Sequence, residues 1–267
     1  MSANQKIVLI LIGSFLIVWC FSSYLDRWLL SGISASLLAS LIASAIIIFG
    51  IDQILKQDQS RREAPIKQSA AWVVGSIIYE LTYLIGRMAK ASAAANWRVP
   101  RDFSELYTKD TIDQICHHLN LDANAGVYPP SNWRIYISQG IAHFRSEINK
   151  AIEQFGLYIP ASLVADLIKL RNGPLFYYLG AIANLKEHYS RAPVIGKGVE
   201  ELLLKDFNLI LRIINQLKEW QESINVSPIS FQWIYQNLTQ HDVAPRQGDS
   251  RIEPSEEEFR RIFLEYI

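Results

Sequence analysis

Residues 7–51 read IVLILIGSFLIVWCFSSYLDRWLLSGISASLLASLIASAIIIFGI, and Asp26 and Arg27 are the only charged side chains among them. As helices rising 1.5 Å per residue, 7–24 and 29–51 would span about 27 and 35 Å, against about 30 Å for the hydrocarbon core of a bilayer. An unpaired backbone amide is costly in lipid, so runs of this kind insert as helices with every backbone group bonded internally. The short polar break around Asp26 and Arg27 lets the chain cross, turn and return. Residues 1–55 are therefore expected to form a two-helix transmembrane hairpin, with spans at 7–24 and 29–51.

Lys6 before an apolar run also fits a signal peptide, but Trp19-Cys20-Phe21 puts bulky side chains where a cleavage site needs small ones. A second span follows at once, which favours retention. Lys56, Arg61, Arg62 and Lys67 follow the second span and Lys6 precedes the first, whereas Arg27 alone marks the turn. The positive-inside rule then places both termini in the cytoplasm of a multi-pass protein of the inner or plasma membrane. The lipid bilayer is its first expected partner.

Of the 267 residues, roughly 215 remain outside the hairpin, enough for one sizeable domain or two small ones. Lys plus Arg and Asp plus Glu both number 26, so no basic excess exists to attract nucleic acid. Cys20 and Cys116 give neither a disulfide framework nor a paired metal spacing.

Beyond the hairpin the chain reads as helices separated by Pro and Gly, and no convincing strand, repeat or low-complexity tract is present. The expected fold is all-α: the transmembrane hairpin followed by a cytoplasmic helical bundle over 56–240. Pro65 interrupts, and 66–95 follows as a long helix. Its apolar part, 70–85, contains Glu80 as its one charge and resembles a third span. Ser76, Glu80, Tyr83 and Arg87 nevertheless align at helical spacing into a polar stripe, and a charge at mid-bilayer costs about 2.5–3.5 kcal/mol. A cytoplasmic core helix is the better reading. Further helices are expected at 108–121, 133–155, 161–172, 175–190 and 197–225, bounded by Gly156, Pro160, Pro174 and Pro193. Over 197–225, Leu203, Phe207, Ile210, Ile214, Leu217 and Ile224 alternate 4-3, and Leu204, Leu211 and Ile213 widen the stripe. That width suits a helix buried between several neighbours better than a two-stranded coiled coil.

Two faces invite packing. Gly32, Ser36, Ser40 and Ser44, each four residues apart, make a small-residue face on the second span that lets another helix approach closely, either the first span or a second copy. Near the other end, 241–254 is rich in Pro, Gly, Asp and Arg and reads as a linker. Ser255 and Glu258 then form a capping box, and Phe259, Ile262, Phe263 and Tyr266 line one face of a short helix over 255–267. A helix so short is marginal alone in water and is expected to dock on its own bundle or on a partner.

Chemistry is harder to find. Cys116-His117-His118 is the densest set of metal-ligand types, but adjacent helical residues point about 100° apart and no i, i+4 ligand follows. His241-Asp242 matches a phosphohydrolase dyad only as a dipeptide. Ile195-Gly196-Lys197-Gly198 lacks the Ser or Thr of a phosphate loop. No catalytic, cofactor or metal residue is assigned. Trp97, Trp133, Trp220 and Trp233 are expected mostly in the core. The pattern favours a membrane-anchored, non-enzymatic adaptor, sensor or scaffold that binds a protein partner or self-associates. A membrane-acting effector whose hairpins assemble, and an enzyme with a site no motif reveals, are the alternatives.

Overall fold

The computed structural model describes residues 13, 16, 20, 32–93, 97–184 and 197–240. The first span as a whole, the 241–254 linker and the 255–267 helix with Phe259, Ile262, Phe263 and Tyr266 lie outside the described residues. The chain is all-α, with no strand among the described residues. It divides into two compact units, Met1–Ile66 and Lys67–Ile267.

The longest element, α1, runs Gly32–Ser92 with Pro65 inside it. The expected break at Pro65 does not occur. Proline removes one i→i−4 bond, which leaves the Arg61 carbonyl without its helical donor. Arg61 is exposed and Pro65 is exposed too, so water can take that carbonyl and the helix continues.

From Lys67 onward, α1 is a core helix. Ala70, Ala71, Val74, Ile78 and Leu81 have no exposed surface, and Ile85 and Met88 have 1%. Among the described residues seven further helices follow: α2 (Phe103–Leu106), α3 (Lys109–His118), α4 (Trp133–Phe155), α5 (Ala161–Arg171), α6 (Pro174–Ala183), α7 (Lys197–Ser223) and α8 (Gln232–Gln240). Their starts are set by local chemistry. Asp102, Thr108 and Asn132 each accept a backbone N–H from the first turn of α2, α3 and α4, relieving donors that a helix N-terminus leaves unpaired. The α6 start, at Gly173-Pro174, has no cap of its own. Asp206 of α7 supplies one instead, its Oδ2 accepting the Leu175 N–H at 2.7 Å.

The α7 helix packs on α3, α5 and α6, while α4 packs on α5 and α6. Three neighbours explain its wide apolar stripe: Leu203, Phe207, Ile210, Ile213, Ile214 and Leu217 are all at most 2% exposed. A two-stranded coiled coil would bury only one seam. Two elements have no counterpart in the sequence pattern, the single-turn α2 and the short α8. In α8 only Ile234 and Leu238 are buried, too few apolar positions to announce a helix.

Among the described residues one helix, Ala43–Ser92, is by length and composition long and apolar enough to cross a bilayer, with a mean hydropathy of 1.3 in its most apolar window and 61% of that window buried within the protein. Burial on that scale is how a bundle's core helix passes the same test. Most apolar side chains of the 67–92 stretch face protein, as the polar stripe implied, with Trp72 the exposed exception at 73%; Arg87 departs from that stripe, being 5% exposed. Its guanidinium lies 5.2–5.9 Å from the ring centroids of Tyr136, Tyr83 and Trp133 and donates to the Ala125 carbonyl. The aromatic rings, the carbonyl and the Tyr136 hydroxyl at 3.4 Å replace part of the water that a buried cation loses, while Nε has no partner among the described residues.

Candidate functional site

At its C-terminus α7 ends in a Schellman turn. Asn225 takes φ 57°, Val226 N–H bonds to the Gln221 carbonyl at 2.8 Å, and Asn225 N–H bonds to that of Glu222 at 3.2 Å. Asn tolerates the left-handed conformation this turn requires. The chain then runs as Val226-Ser227-Pro228-Ile229-Ser230 to α8. Two side chains pin this extended stretch: Gln221 Oε1 accepts the Ile229 N–H at 2.7 Å, and the Tyr79 hydroxyl oxygen accepts the Ser230 N–H at 2.8 Å.

Between that stretch and α1 lies a cleft of about 520 Å³, lined on the helix side by Gln68, Trp72, Gly75, Ser76 and Tyr79. No lining residue carries a charge. Trp72 stands at its rim, 73% exposed, whereas Gln221 at its base is 4% exposed. Because the Ile229 N–H needs an acceptor, the Gln221 oxygen must face it, which turns Nε2 to the cleft floor, 3.4 Å from where a Cβ on Gly75 would sit. Nε2 has no hydrogen-bond partner among the described residues. Facing the open cleft, Nε2 is reached by solvent and keeps its two N–H groups available to a bound acceptor. Alongside, Trp233 of α8 is 50% exposed and packs its ring 6.0 Å from Tyr79 and 5.7 Å from Tyr83. Trp133 and Trp220 are buried as expected and Trp97 is partly buried, whereas Trp233, expected in the core, is half exposed.

The other candidates do not assemble into chemistry. Cys116 is fully within the core, where the Tyr178 hydroxyl donates to its Sγ at 2.9 Å and burial pushes the thiol up to about 12. A thiol so protonated is neither a nucleophile nor a metal ligand at neutral pH. The void beside it holds only about 20 Å³ between apolar side chains, room for one water with nothing to bind it. Among the described residues no three of His, Cys, Asp and Glu converge as a metal requires. His241-Asp242 lies outside the described residues. Ser76 donates to Glu80 at 3.3 Å, and the other Glu80 oxygen meets His143 Nε2 at 2.9 Å. In that order the serine faces the carboxylate, and His143 is not placed to take its proton.

Comparison with known protein families, curated proteins and solved structures finds no match for this chain.

A second cleft, over the α5–α6 junction and α7, is charged, with Lys169, Lys205, Arg212 and Asp206 in its wall. Burial pushes the Asp206 carboxyl up to about 6 despite the Leu175 N–H that it accepts. That carboxylate is already used as the cap of α6, which accounts for its position. Nearby, burial pulls the Asp166 carboxyl upward too, but paired bonds from Arg212 at 2.7 Å and one from Gln216 at 3.1 Å outweigh it and hold the group below the usual carboxylate range.

Of the small-residue face, Ser40 and Ser44 are exposed and Ser44 Oγ donates back to the Ser40 carbonyl at 2.8 Å. Gly32 and Ser36 lie on the same helix, with their side-chain surroundings outside what is described. The Trp72 cleft went unforeseen because its parts are distant in sequence. The one available signal was Trp72, Ser76 and Tyr79 sharing a helical face with Gly75 beside them.

Proposed function

We propose that this chain is a membrane-anchored, non-enzymatic adaptor. Spans at 7–24 and 29–51 hold it in an inner or plasma membrane with both termini cytoplasmic, and the helical domain offers the Trp72 cleft to a protein partner. The observation that carries the binding role is the buried Gln221 amide, aimed into an open cleft that contains no charge. What supports the anchor is α1 ahead of the bundle: Ile48 and Phe49 are 68% and 65% exposed within a stretch of 23 residues, 29–51, that carries no charge.

Two experiments test the two halves. With Cys20 replaced by Ser, a Cys introduced at Asp26 is expected to react with a membrane-impermeant maleimide in intact cells, while Cys at Gln59 or Gly248 stays unlabelled until the cells are opened. Labelling at Gly248 in sealed cells contradicts the orientation. For the cleft, a benzophenone amino acid at Ser76 is expected to cross-link a protein in membranes, and the same group at Tyr128, an exposed ring outside the cleft, is not. Equal yields from both positions remove the case for a docking site at the cleft.

A further inference from the structure

Resting on the adaptor reading, we infer that the Trp72 cleft takes a proline-rich segment of its partner in the polyproline II conformation. The donor inventory is the first reason. Gln221 Nε2 has two N–H groups to give, Trp72 has its indole N–H, and the Tyr79 hydroxyl, whose oxygen already accepts from Ser230, keeps its proton to donate. No carboxylate lines the cleft, and its side-chain acceptors are the neutral oxygens of Gln68, Ser76, Asn225 and Ser227. A polyproline II segment is the complementary peptide: its prolines have no N–H, and its carbonyls are unpaired because the helix has no internal hydrogen bonds.

Spacing is the second reason. Trp72 and Tyr79 are seven residues apart on α1, about 10.5 Å along the axis. One turn of polyproline II is three residues, about 9.3 Å. Successive ring-bearing positions of such a helix can therefore meet first one aromatic and then the other, which is how aromatic-lined grooves read proline-rich ligands. The third reason is the absent charge: an acidic or basic peptide would find no counter-ion here. A neutral sugar would also stack on Trp72, but its hydroxyls donate as well as accept, and the lining has no carboxylate to receive them.

Gly75 fits the same picture. Glycine inside a helix costs about 1 kcal/mol relative to alanine. A Cβ there would make only ordinary contact with Gln221 at 3.4 Å, so packing does not demand glycine, whereas an open cleft floor does.

The test uses the full chain in detergent micelles, titrated with decaproline and separately with maltotetraose. Decaproline is expected to bind saturably, Trp72→Ala to weaken it about tenfold or more, and Gly75→Leu to abolish it by filling the floor. Tyr128→Ala should leave it unchanged. The unfolding temperatures of both cleft variants should stay near the parent's, since Trp72 is largely exposed and leucine favours a helix. Saturable binding of maltotetraose with none of decaproline overturns the inference, as does decaproline binding indifferent to Trp72→Ala. If deleting 241–267 tightens decaproline binding about tenfold, the occupant is the chain's own tail and the partner is overturned. Cross-linking to a protein from position 76 without decaproline binding rejects the proline-rich class and leaves the adaptor standing. Loss of both signals rejects both.

Discussion

Two stretches of one helix, 32–51 and 67–92 of α1, each carry a long apolar run, uncharged in the first and holding Glu80 in the second, and they differ in burial. In the first, Ile48 and Phe49 are two-thirds exposed; in the second, Ile78 and Leu81 have no exposed surface. Apolar area left in water forgoes about 25 cal/mol per Å². The 67–92 stretch recovers this within the bundle core, and the 32–51 stretch requires a bilayer or another helix to do so. An apolar run alone cannot separate these fates. Polar residues at helical spacing can: Ser76, Glu80 and Tyr83 mark a face of the second stretch, and the first has only serines and alanines.

The sharpest way to break the comparison is to place a carboxylate in each stretch. Leu81→Asp buries an unpaired charge and leaves a cavity, and is expected to unfold the bundle, a loss of more than about 4 kcal/mol. Ile48→Asp should leave the bundle's melting temperature unaltered but oppose insertion by about 2.5–3.5 kcal/mol, seen as protein released from the membrane fraction. Equal damage to bundle stability from both changes would falsify the division.

A second contrast is between two carboxylates that both touch α7. The folded Asp206 keeps its proton up to about 6, whereas an unfolded Asp loses it near 3.9. The folded state therefore binds more protons between about pH 4 and 6, and stability falls as pH rises through that window. Asp206→Asn preserves an acceptor for the Leu175 N–H and removes this slope. It should stabilise the protein at pH 7 by about 1–3 kcal/mol, with the nearby Lys169, Lys205 and Arg212 pulling toward the low end, and leave it unchanged near pH 3. Asp166 has the opposite sign. Its stabilisation is present above the usual carboxylate range and is lost as pH falls, so Asp166→Asn should cost stability at pH 7 and progressively less in acid. Thermal melts across pH 3–8 read both, and parallel profiles for the two variants would contradict the assignment.

The smallest effects come from two glycines of α1. A Cβ at Gly86 would sit 2.8 Å from Leu238 Cδ1 of α8, whereas one at Gly75 meets only Gln221 at 3.4 Å. Gly86→Ala should destabilise by about 1 kcal/mol through overpacking, and Gly75→Ala should stabilise by up to about 1 kcal/mol through helix propensity. Chemical denaturation resolves the two signs, and a matching sign would mean that α8 does not need the close approach.

The all-α class and the ranges of α4, α5 and α7 were legible because long helices repeat their apolar positions every turn. Punctuation at Gly156 and Pro160 helped to bound them. What was not legible rests on contacts between distant residues. Arg87 reads as a surface residue until Tyr83, Trp133 and Tyr136 are seen to enclose it. Pro65 reads as a stop until the solvent exposure of Arg61 removes the reason to stop. The Trp72 cleft depends on a single hydrogen bond, Ile229 N–H to Gln221, that fixes which way an amide faces, and no periodicity encodes that.

We propose that one part of α1 lies in lipid and the next within the bundle. Nitroxide labels at Phe49, Trp72 and Ile78, each in turn in the full chain reconstituted into vesicles, measure this through collision with oxygen and with a water-soluble nickel chelate. The account predicts high oxygen and low nickel accessibility at Phe49, high nickel accessibility at Trp72, and low values of both at Ile78. High nickel accessibility at Phe49, matching Trp72, would contradict it.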